Sequence, residues 1–511
     1  MTDKRPKDNG KMIPAYSPNK TDPNISANPF EDPQIRDYYV GVYEKAKYEC
    51  RHVFDAEATC TEEEEKKIVK KLDWHVCLWA CIMFFSLQID RGNINQAVSG
   101  TFLKDLHLNT NDFNLGHTVF LVSFLLAELP SQLVSKKFGP DRWIPTQMDL
   151  WSIVAMSQAG LRGKHEFLAT RALLGMLEGG FIPDLVLWLS YFYTSRELPL
   201  RLSFFWTALS ITGIIASLLA FGIFHLEGHH GLAGWRWIFL IKGTLTLALG
   251  IVSFFLMPAS AAQTKTWFRL KGWFTDRELS TVVNRVLRYD PRKGGMHNRQ
   301  AITPRRLWTA LEDYDLWPIY MLGIICFIPQ GPPAYYLTQI LRNLGFNTFN
   351  TNLLTIPSGV AHMITLIGVT WLSEKFNQRA LFAMLQAIWT LPCIIALRAR
   401  TPVTGANDFR YFCRAWVSRN SNNVGSRSIS AALCNMAVQL GGIASANIDR
   451  DDDKPLYKRG NQVLIGINVL SIVLCLYAKV YYVIKNKFER IDYTYNTTDT
   501  ASRQLDFRFA H

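Results

Sequence analysis

The chain has 511 residues, of which 49% are hydrophobic and only 19% are charged, and it carries a formal net charge of +13. The hydrophobic residues gather in blocks of about 18–25 that are apolar all round, which is typical of membrane-spanning helices and excludes a large soluble helical domain. The basic residues accompany no recognisable nucleic-acid-binding module, so we expect no nucleic-acid partner.

The polar N-terminal segment, residues 1–72, is predicted to be a cytosolic tail. Six prolines between Pro6 and Pro33 argue against regular structure there. Towards the end of the tail, Thr61 and Glu64 have the spacing of a capping box. This spacing predicts a short helix that leads into the first membrane span.

Eleven apolar blocks predict membrane spans, near 74–98, 114–135, 143–161, 166–189, 203–225, 235–257, 316–338, 351–372, 379–397, 428–447 and 462–484. They form an N-terminal bundle, 73–257, and a C-terminal bundle, 316–484, with a C-terminal tail at 485–511. Lys and Arg are concentrated in alternate loops and in the linker between the bundles, which predicts that these segments lie in the cytosol.

The linker, residues 258–315, contains a further helical pattern. Thr275 and Glu278 again have capping-box spacing, and five apolar residues after them share one helical face. We interpret this amphipathic helix as a brace that lies along the cytosolic surface between the two bundles.

The loops after the second and eighth spans resemble a loop signature of the major facilitator superfamily. The first copy, SKKFGPDRW, places Lys136, Lys137, Gly139 and Arg142, and the second, SEKFNQRA, places Glu374, Lys375 and Arg379. Lys136 stands where the superfamily usually has Asp. The fourth span, with Arg171 and Gly175, resembles the superfamily's Arg-x-x-x-Gly pattern, and small residues there permit close helix packing.

Longer matches in order along the chain resemble the fungal allantoate permease family, most of all its sulfonate-type or nicotinate-type members. They include DRGNINQA at 90–97, RALLGMLEGGFIP at 171–183, GWRWIFLI at 234–241 and AWVSRNSNNV at 415–424. The resemblance implies an all-α integral membrane protein with the major facilitator fold and two six-helix bundles. It implies proton-coupled uptake of a small organic or sulfur-containing anion across the plasma membrane, by a monomer without metal or cofactor.

Two positions depart from that family. Lys242 stands in the sixth span where relatives usually have an acidic residue. The tenth span, expected between the ninth span and SRNSNN at 418–423, contains five charged residues between Arg398 and Arg414. We therefore predict that the tenth helix is shortened or missing.

The alternative interpretations are a nutrient sensor that does not transport, or a truncated and inactive transporter. The chain contains no HExxH, G-x-S-x-G or P-loop motif that would indicate an enzyme.

Charged and titratable residues inside the apolar blocks are the candidates for substrate binding or proton coupling, because such residues are costly in a membrane unless they have a function. The candidates are Asp90, Arg91, Glu128, Arg171, Glu178 and His362, with Lys242, Asp149 and Asp184 as further intramembrane charges. Each has a structural alternative. Asp90 and Arg91 can form a permanent ion pair, Arg171 and Glu178 can pair with other helices, and His362 can be a hydrogen-bonded core residue.

Overall fold

The structure is a computed structural model. It describes residues 29–45, 48–58, 60–194, 197–265, 270, 272–289, 308, 312, 314–332, 337–338, 341, 345–376, 379–398, 424–453 and 457–495.

The described elements are helices and helical turns. Those of ten or more residues are α1 (Pro33–Lys45), α2 (Glu62–Leu72), α3 (Leu78–Ala97), α4 (Thr110–Phe138), α5 (Pro140–Ser157), α6 (Lys164–Glu178), α7 (Phe181–Ser190), α8 (Leu198–Ile223), α9 (Gly234–Leu256), α10 (Asp276–Tyr289), α11 (Trp317–Phe327), α12 (Thr348–Phe376), α13 (Arg379–Arg398), α14 (Val424–Ala446) and α15 (Lys458–Tyr495). A five-residue π-helix, Asp73–Cys77, joins α2 to α3 without a break.

Each of the eleven predicted span positions holds a helix, so the all-α membrane fold is confirmed. Among the described residues, six stretches are long and apolar enough to cross a membrane: Glu62–Ala97, Thr110–Ser135, Lys164–Ser190, Leu200–Leu226, Gly234–Leu256 and Lys458–Lys485. The seventh predicted span is described from Tyr314, as a shorter apolar helix that ends at Phe327. The predicted defect in the tenth helix, at 399–423, lies outside the described residues.

The two halves of the chain repeat one packing scheme. In the first half α3 packs on α8 and α9, and α5 packs on α9. In the second half α11 packs on α14 and α15, and α13 packs on α15. The halves meet through α4 with α14 and through α8 with α12, which are equivalent pairs in the two repeats. Such a pair of repeats, with the contact between them, is the architecture of a secondary transporter.

The N-terminal segment differs from the prediction, because residues 29–45 and 48–58 are folded. Phe30, Tyr43, Tyr48 and Phe54 pack against one another and around α1. Phe30, Tyr43 and Tyr48 are almost fully buried. The prolines that argued against structure include Pro33, which takes the first position of α1, where its missing N–H and fixed φ are tolerated. Residues 1–28 lie outside the described part of the chain.

The capping box that starts α2 is confirmed. The Glu64 backbone N–H donates to Thr61 Oγ1 at 3.3 Å, and the Thr61 N–H donates to Glu64 Oε2 at 3.2 Å. The same reciprocal pair, Thr275 with Glu278, starts α10. Partial burial opposes the charge of the Glu278 carboxyl, but hydrogen bonds from Lys71 and from the Thr275 backbone outweigh it, and the pKa of Glu278 is lowered.

Helix α10 buries the predicted apolar face, with Val282, Val283, Val286 and Leu287 all nearly inaccessible. Its polar contacts bind it to the first half of the chain. Lys71 donates to Glu278 at 2.8 Å, and buried Arg285 donates to Glu197 at 2.8 Å and lies 3.6 Å from Glu65. The linker helix therefore binds to α2 and to the N-terminal bundle, rather than lying evenly between the two bundles. We call the end of the spans near α2 and α10 the linker side, and the opposite end the far side.

Candidate functional site

The fourth span is divided where three glycines bring it against α4. A Cβ atom at Gly175 would lie 2.3 Å from the Phe120 carbonyl oxygen, and one at Gly179 would lie 2.9 Å from the Phe124 carbonyl oxygen. Gly180, with φ of 85°, precedes the first residue of α7 and is its N-cap. This backbone conformation favours glycine. The expected close approach of small residues is therefore confirmed, and it holds α6 against the aromatic face of α4.

On that face, two arginines share an aromatic ring. The guanidinium of Arg171 lies 4.5 Å from the centre of the Phe120 ring, and that of Arg91 lies 5.6 Å from the same ring. Arg91 Nε donates to Glu178 Oε2 at 2.6 Å, and Glu178 is fully buried. We call Arg91, Phe120, Arg171 and Glu178 the arginine cluster. It joins the first, second and fourth spans, and it contains two cationic groups and one carboxylate.

Asp90 and Arg91 do not pair with each other, which corrects one structural alternative. Successive residues of an α-helix point about 100° apart, so the two side chains reach different neighbours. Arg91 pairs with Glu178, while Asp90 accepts a hydrogen bond from Asn93 Nδ2 at 3.1 Å. Helix α3 continues to Ala97, so Asp90 and Arg91 lie well inside the span.

Asp90 lies in a second charged group, and it also interacts electrostatically with Glu178 of the arginine cluster. Lys242 of the sixth span is fully buried, and its Nζ donates to Gln96 Oε1 and, at 3.2 Å, to the Ala216 carbonyl oxygen. Asp90 and Lys242 interact electrostatically. We call Asp90, Gln96 and Lys242 the lysine cluster. The unusual Lys242 thus has an acidic neighbour on α3, which limits the cost of burying an ammonium group.

Glu128 links the two halves of the chain. It is fully buried on α4, and Asn435 Nδ2 of α14 donates to Glu128 Oε1 at 2.8 Å. Pro130, two residues later, lies within the continuous helix α4. Asn435 carries no charge and lies in an ordinary apolar block, so no signal in the sequence singles it out.

His117 is a buried titratable residue that sequence reasoning missed. Its ring lies 4.7 Å from that of Phe113, and it interacts electrostatically with Arg171. Its spacing from Phe120 and Phe124 on α4 is that of one helical face, which is the signal that could have found it. Asp184 is also buried, on α7, and the Asp149 carboxylate lies close to Gly250 of the sixth span.

The loop after the second span turns at Gly139, whose φ is 93°. A Cβ atom there would lie 2.4 Å from Asp141 Oδ1. Lys137 and Arg142 are exposed. The loop is anchored by Trp143 and Gln147, both of which donate to Ser131 Oγ, at 3.0 and 2.9 Å.

The side chains of several predicted residues lie outside the described part of the chain. These residues are Lys136 on α4, then His362, Glu374 and Lys375 on α12, and Arg379 at the start of α13. Their roles stay predictions.

Hydrogen bonds join the halves at the far side. Asn114 Nδ2 donates to the Asp449 carbonyl oxygen at 2.7 Å, and Asn447 Nδ2 donates to Thr118 Oγ1 at 2.8 Å. Asn352 Nδ2 donates to Ser99 Oγ at 3.2 Å. Five polar side chains therefore hold α4 and the end of α3 against the second half, on the side opposite the linker helix.

Two repeats of membrane helices, with buried charges between helices of the first repeat, define a transporter. The model of the Major Facilitator Superfamily matches residues 80–407, and the chain belongs to this superfamily. It is 43% identical to an uncharacterized transporter of Saccharomyces cerevisiae, YIL166C, over 96% of this chain and 95% of that one. It is 25% identical to the MFS transporter prlL of a fungal species, over 88% and 93%.

Solved structures share the fold. The proton:xylose symporter XylE bound to a bromodeoxyglucose gives a TM-score of 0.59 at 15% identity, over 79% of this chain and 94% of that one. A bacterial homologue of the lysosomal transporter Spinster, inward-facing and unoccupied, gives 0.57 at 13% identity, over 83% and 97%.

Proposed function

We propose that the chain is a proton-coupled carrier of a small organic or sulfur-containing anion, that it works as a monomer in the plasma membrane, and that its linker side faces the cytosol. The arginine cluster carries this proposal. It has two guanidinium groups and one carboxylate at membrane depth, so cationic groups outnumber acidic ones in this cluster. Buried charged groups are costly in a membrane unless they have a function, and a site of this composition favours anions over neutral solutes.

Arg91 is the group that takes the anion. Its side chain keeps 20% exposure, whereas Glu178 keeps 1%. A guanidinium binds carboxylate or sulfonate oxygens through two parallel N–H donors, but Glu178 now occupies one of them. An arriving anion must therefore compete with Glu178 for Arg91.

Proton coupling follows from that competition. When Glu178 takes a proton, it loses its charge and its hold on Arg91, and the substrate anion replaces it as the counterion. Proton and anion then enter together, and the charge of the arginine cluster is the same before and after loading. Asp90 interacts electrostatically with both Glu178 and Lys242, so the two clusters are neighbours, and the opposite charges of Asp90 and Lys242 offset each other.

The test is uptake of labelled sulfonate and nicotinate by cells that lack endogenous anion uptake, compared between acidic and neutral medium. We expect uptake that is faster in acidic medium and that collapses with a protonophore. Arg91→Gln and Arg171→Gln should each lower uptake about 100-fold, since each removes a charge-assisted contact from a buried site. Lys104→Gln removes a charge from an exposed position outside the spans and outside the loop signature, and it serves as the matched control.

Uptake by the Arg91→Gln and Arg171→Gln variants equal to that of Lys104→Gln would contradict the anion site. Uptake that does not change with pH or with the protonophore would contradict proton coupling alone. Intact protein at the cell surface that takes up neither anion would favour the sensor interpretation.

A further inference from the structure

The segment between α14 and α15 takes part in the contact of the two halves at the far side. Its Asn447 side chain and its Asp449 carbonyl oxygen bind Thr118 and Asn114 of α4. We call these four residues the far-side closure. Alternating access requires that this contact open and close, so a charge buried in it affects the balance between the two states.

Asp449 is such a charge. Only 5% of the surface of Asp449 is exposed, and its Oδ1 has no hydrogen-bond donor among the described residues. The carboxylate packs against the first turn of α15, where a Cβ atom at Gly460 would lie 2.6 Å from Oδ1. Burial, with a smaller contribution from the charge of Asp453, raises the pKa of Asp449 to about 7.

The groups around Asp449 do not offset this burial. Asp453 Oδ2 accepts the backbone N–H groups of Arg459 and Gly460, so the donors at the start of α15 already have a partner. The Arg459 side chain is exposed and pairs with Asp452, as does Arg450. On α4 the facing groups are the neutral side chains of Asn114 and Thr118, and His117 near them interacts with Arg171.

We propose that Asp449 is a proton-binding residue of the far-side closure, and that its charge sets how firmly the segment 447–453 holds the two halves together. Protonated, the side chain is neutral and stays buried, and the closure holds. Charged, it favours exposure to water, and the hydrogen bonds of Asn447 and of the Asp449 carbonyl to α4 weaken. The placement of this residue outside the cell rests on the proposed function, but its effect on closure does not.

The sign of the pH dependence follows from linkage. The closed state binds the proton more tightly than an open state in which Asp449 has its ordinary pKa near 4. The ratio of closed to open protein therefore rises by about tenfold for each pH unit between about pH 7 and pH 4, and it is constant above and below that range. An acidic exterior closes the far side.

The experiment measures the distance across the closure by pulsed electron resonance. Spin labels are placed on cysteines introduced at Lys104 and Lys458, two exposed positions on either side, in the full chain with its reactive native cysteines replaced by serine. We expect a short distance in acidic buffer, below the pKa of about 7, that gives way to a longer one in alkaline buffer. Asp449→Asn keeps the size of the side chain and is neutral at every pH, so in this variant the short distance should persist at every pH.

Asp453→Asn sharpens the result, because it keeps the capping oxygen of α15 and removes the neighbouring charge. It should move the midpoint to lower pH, whereas Asp452→Asn, on the surface, should leave it in place. The proposal is overturned if Asp449→Asn opens with pH as the unchanged chain does, or if the unchanged chain shows one distance throughout. Because the distance is read without substrate or a proton gradient, a failure of the proposed transport leaves this result intact.

Discussion

The two halves of the chain share a packing scheme but differ in the chemistry of their interiors. The buried charged side chains on the spans of the first half are Asp90, Glu128, Arg171, Glu178, Asp184, Arg201 and Lys242. Among the side chains that the structure describes on the helices of the second half, the buried polar ones are amides and hydroxyls, such as Thr351, Asn352, Asn435 and Asn468. The proposed anion site thus lies in the first half, whereas Asp449, a buried carboxylate of the second half, lies between α14 and α15.

The largest expected effect tests the close helix packing in each half. Gly175 lies against the Phe120 carbonyl oxygen, and Gly441 of α14 lies against Ile324 of α11, where a Cβ atom would lie 2.2 Å from its carbonyl oxygen. Gly175→Val and Gly441→Val should each lower the amount of folded protein at the cell surface about tenfold, because two helices must separate. Gly213→Val and Gly466→Val are the controls, since a Cβ atom at either position meets no atom within 4 Å.

Surface expression of folded Gly175→Val protein at the level of Gly213→Val would contradict the close contact in the first half. The same outcome for Gly441→Val against Gly466→Val would contradict it in the second.

The next effect tests the boundary between charged and neutral halves. Asn435→Leu removes the donor to Glu128 and leaves a buried carboxylate without this bond. A lost hydrogen bond to a buried charged group costs about 1.5–3 kcal/mol, so uptake should fall about tenfold or more. Asn468→Leu is the matched control, because Asn468 donates to the Ala387 carbonyl oxygen within the second half. Equal uptake by the two variants would show that Glu128 does not depend on the second half.

A smaller effect is expected at the linker helix. Arg285 is 3% exposed and joins α10 to Glu197 and Glu65, both of which keep partial exposure. Arg285→Gln should lower the free energy of unfolding by about 2 kcal/mol, below the value for a fully buried pair because water screens the two acids. Thermal unfolding of the purified protein in detergent measures this, with Arg277→Gln, an exposed pair, as the control. Equal melting temperatures of Arg285→Gln and Arg277→Gln would show that the buried pair contributes no more to stability than the exposed pair.

The smallest effect is expected at the capping box of α2. Thr61→Ala removes an N-cap oxygen, which costs about 1 kcal/mol, and Thr61→Ser keeps it. Hydrogen exchange of the amides at 62–65 should be faster in Thr61→Ala and unchanged in Thr61→Ser. Faster exchange in both variants would show that the methyl group, rather than the hydroxyl, stabilises the start of the helix.

The sequence allows the spans, the two capping boxes and the apolar face of α10 to be predicted, since these depend on composition and on spacing within one element. Arg91, Arg171 and Glu178 also stand out, because charged residues are rare in apolar blocks. The residues with which they pair cannot be predicted, because the bond between Arg91 and Glu178 depends on how three helices meet.

The folded N-terminal arm could not be predicted for a related reason. Phe30, Tyr43, Tyr48 and Phe54 follow no helical or strand period, and they are buried by tertiary packing that no local pattern encodes. Asn435 is likewise defined only by its contact with Glu128 across the two halves. The residues at which prediction failed are thus those whose role is set by another part of the chain.

The central claim is that Glu178 carries the proton and Arg91 the anion, and Glu178→Gln tests it most directly. The purified variant in liposomes is assayed for uptake of labelled sulfonate driven by a pH gradient, and for exchange of labelled against unlabelled sulfonate without a gradient. We predict that exchange continues, because the neutral amide of this variant leaves Arg91 available to the anion, while uptake driven by the gradient is lost. Gradient-driven uptake equal to that of the unchanged chain would contradict the claim.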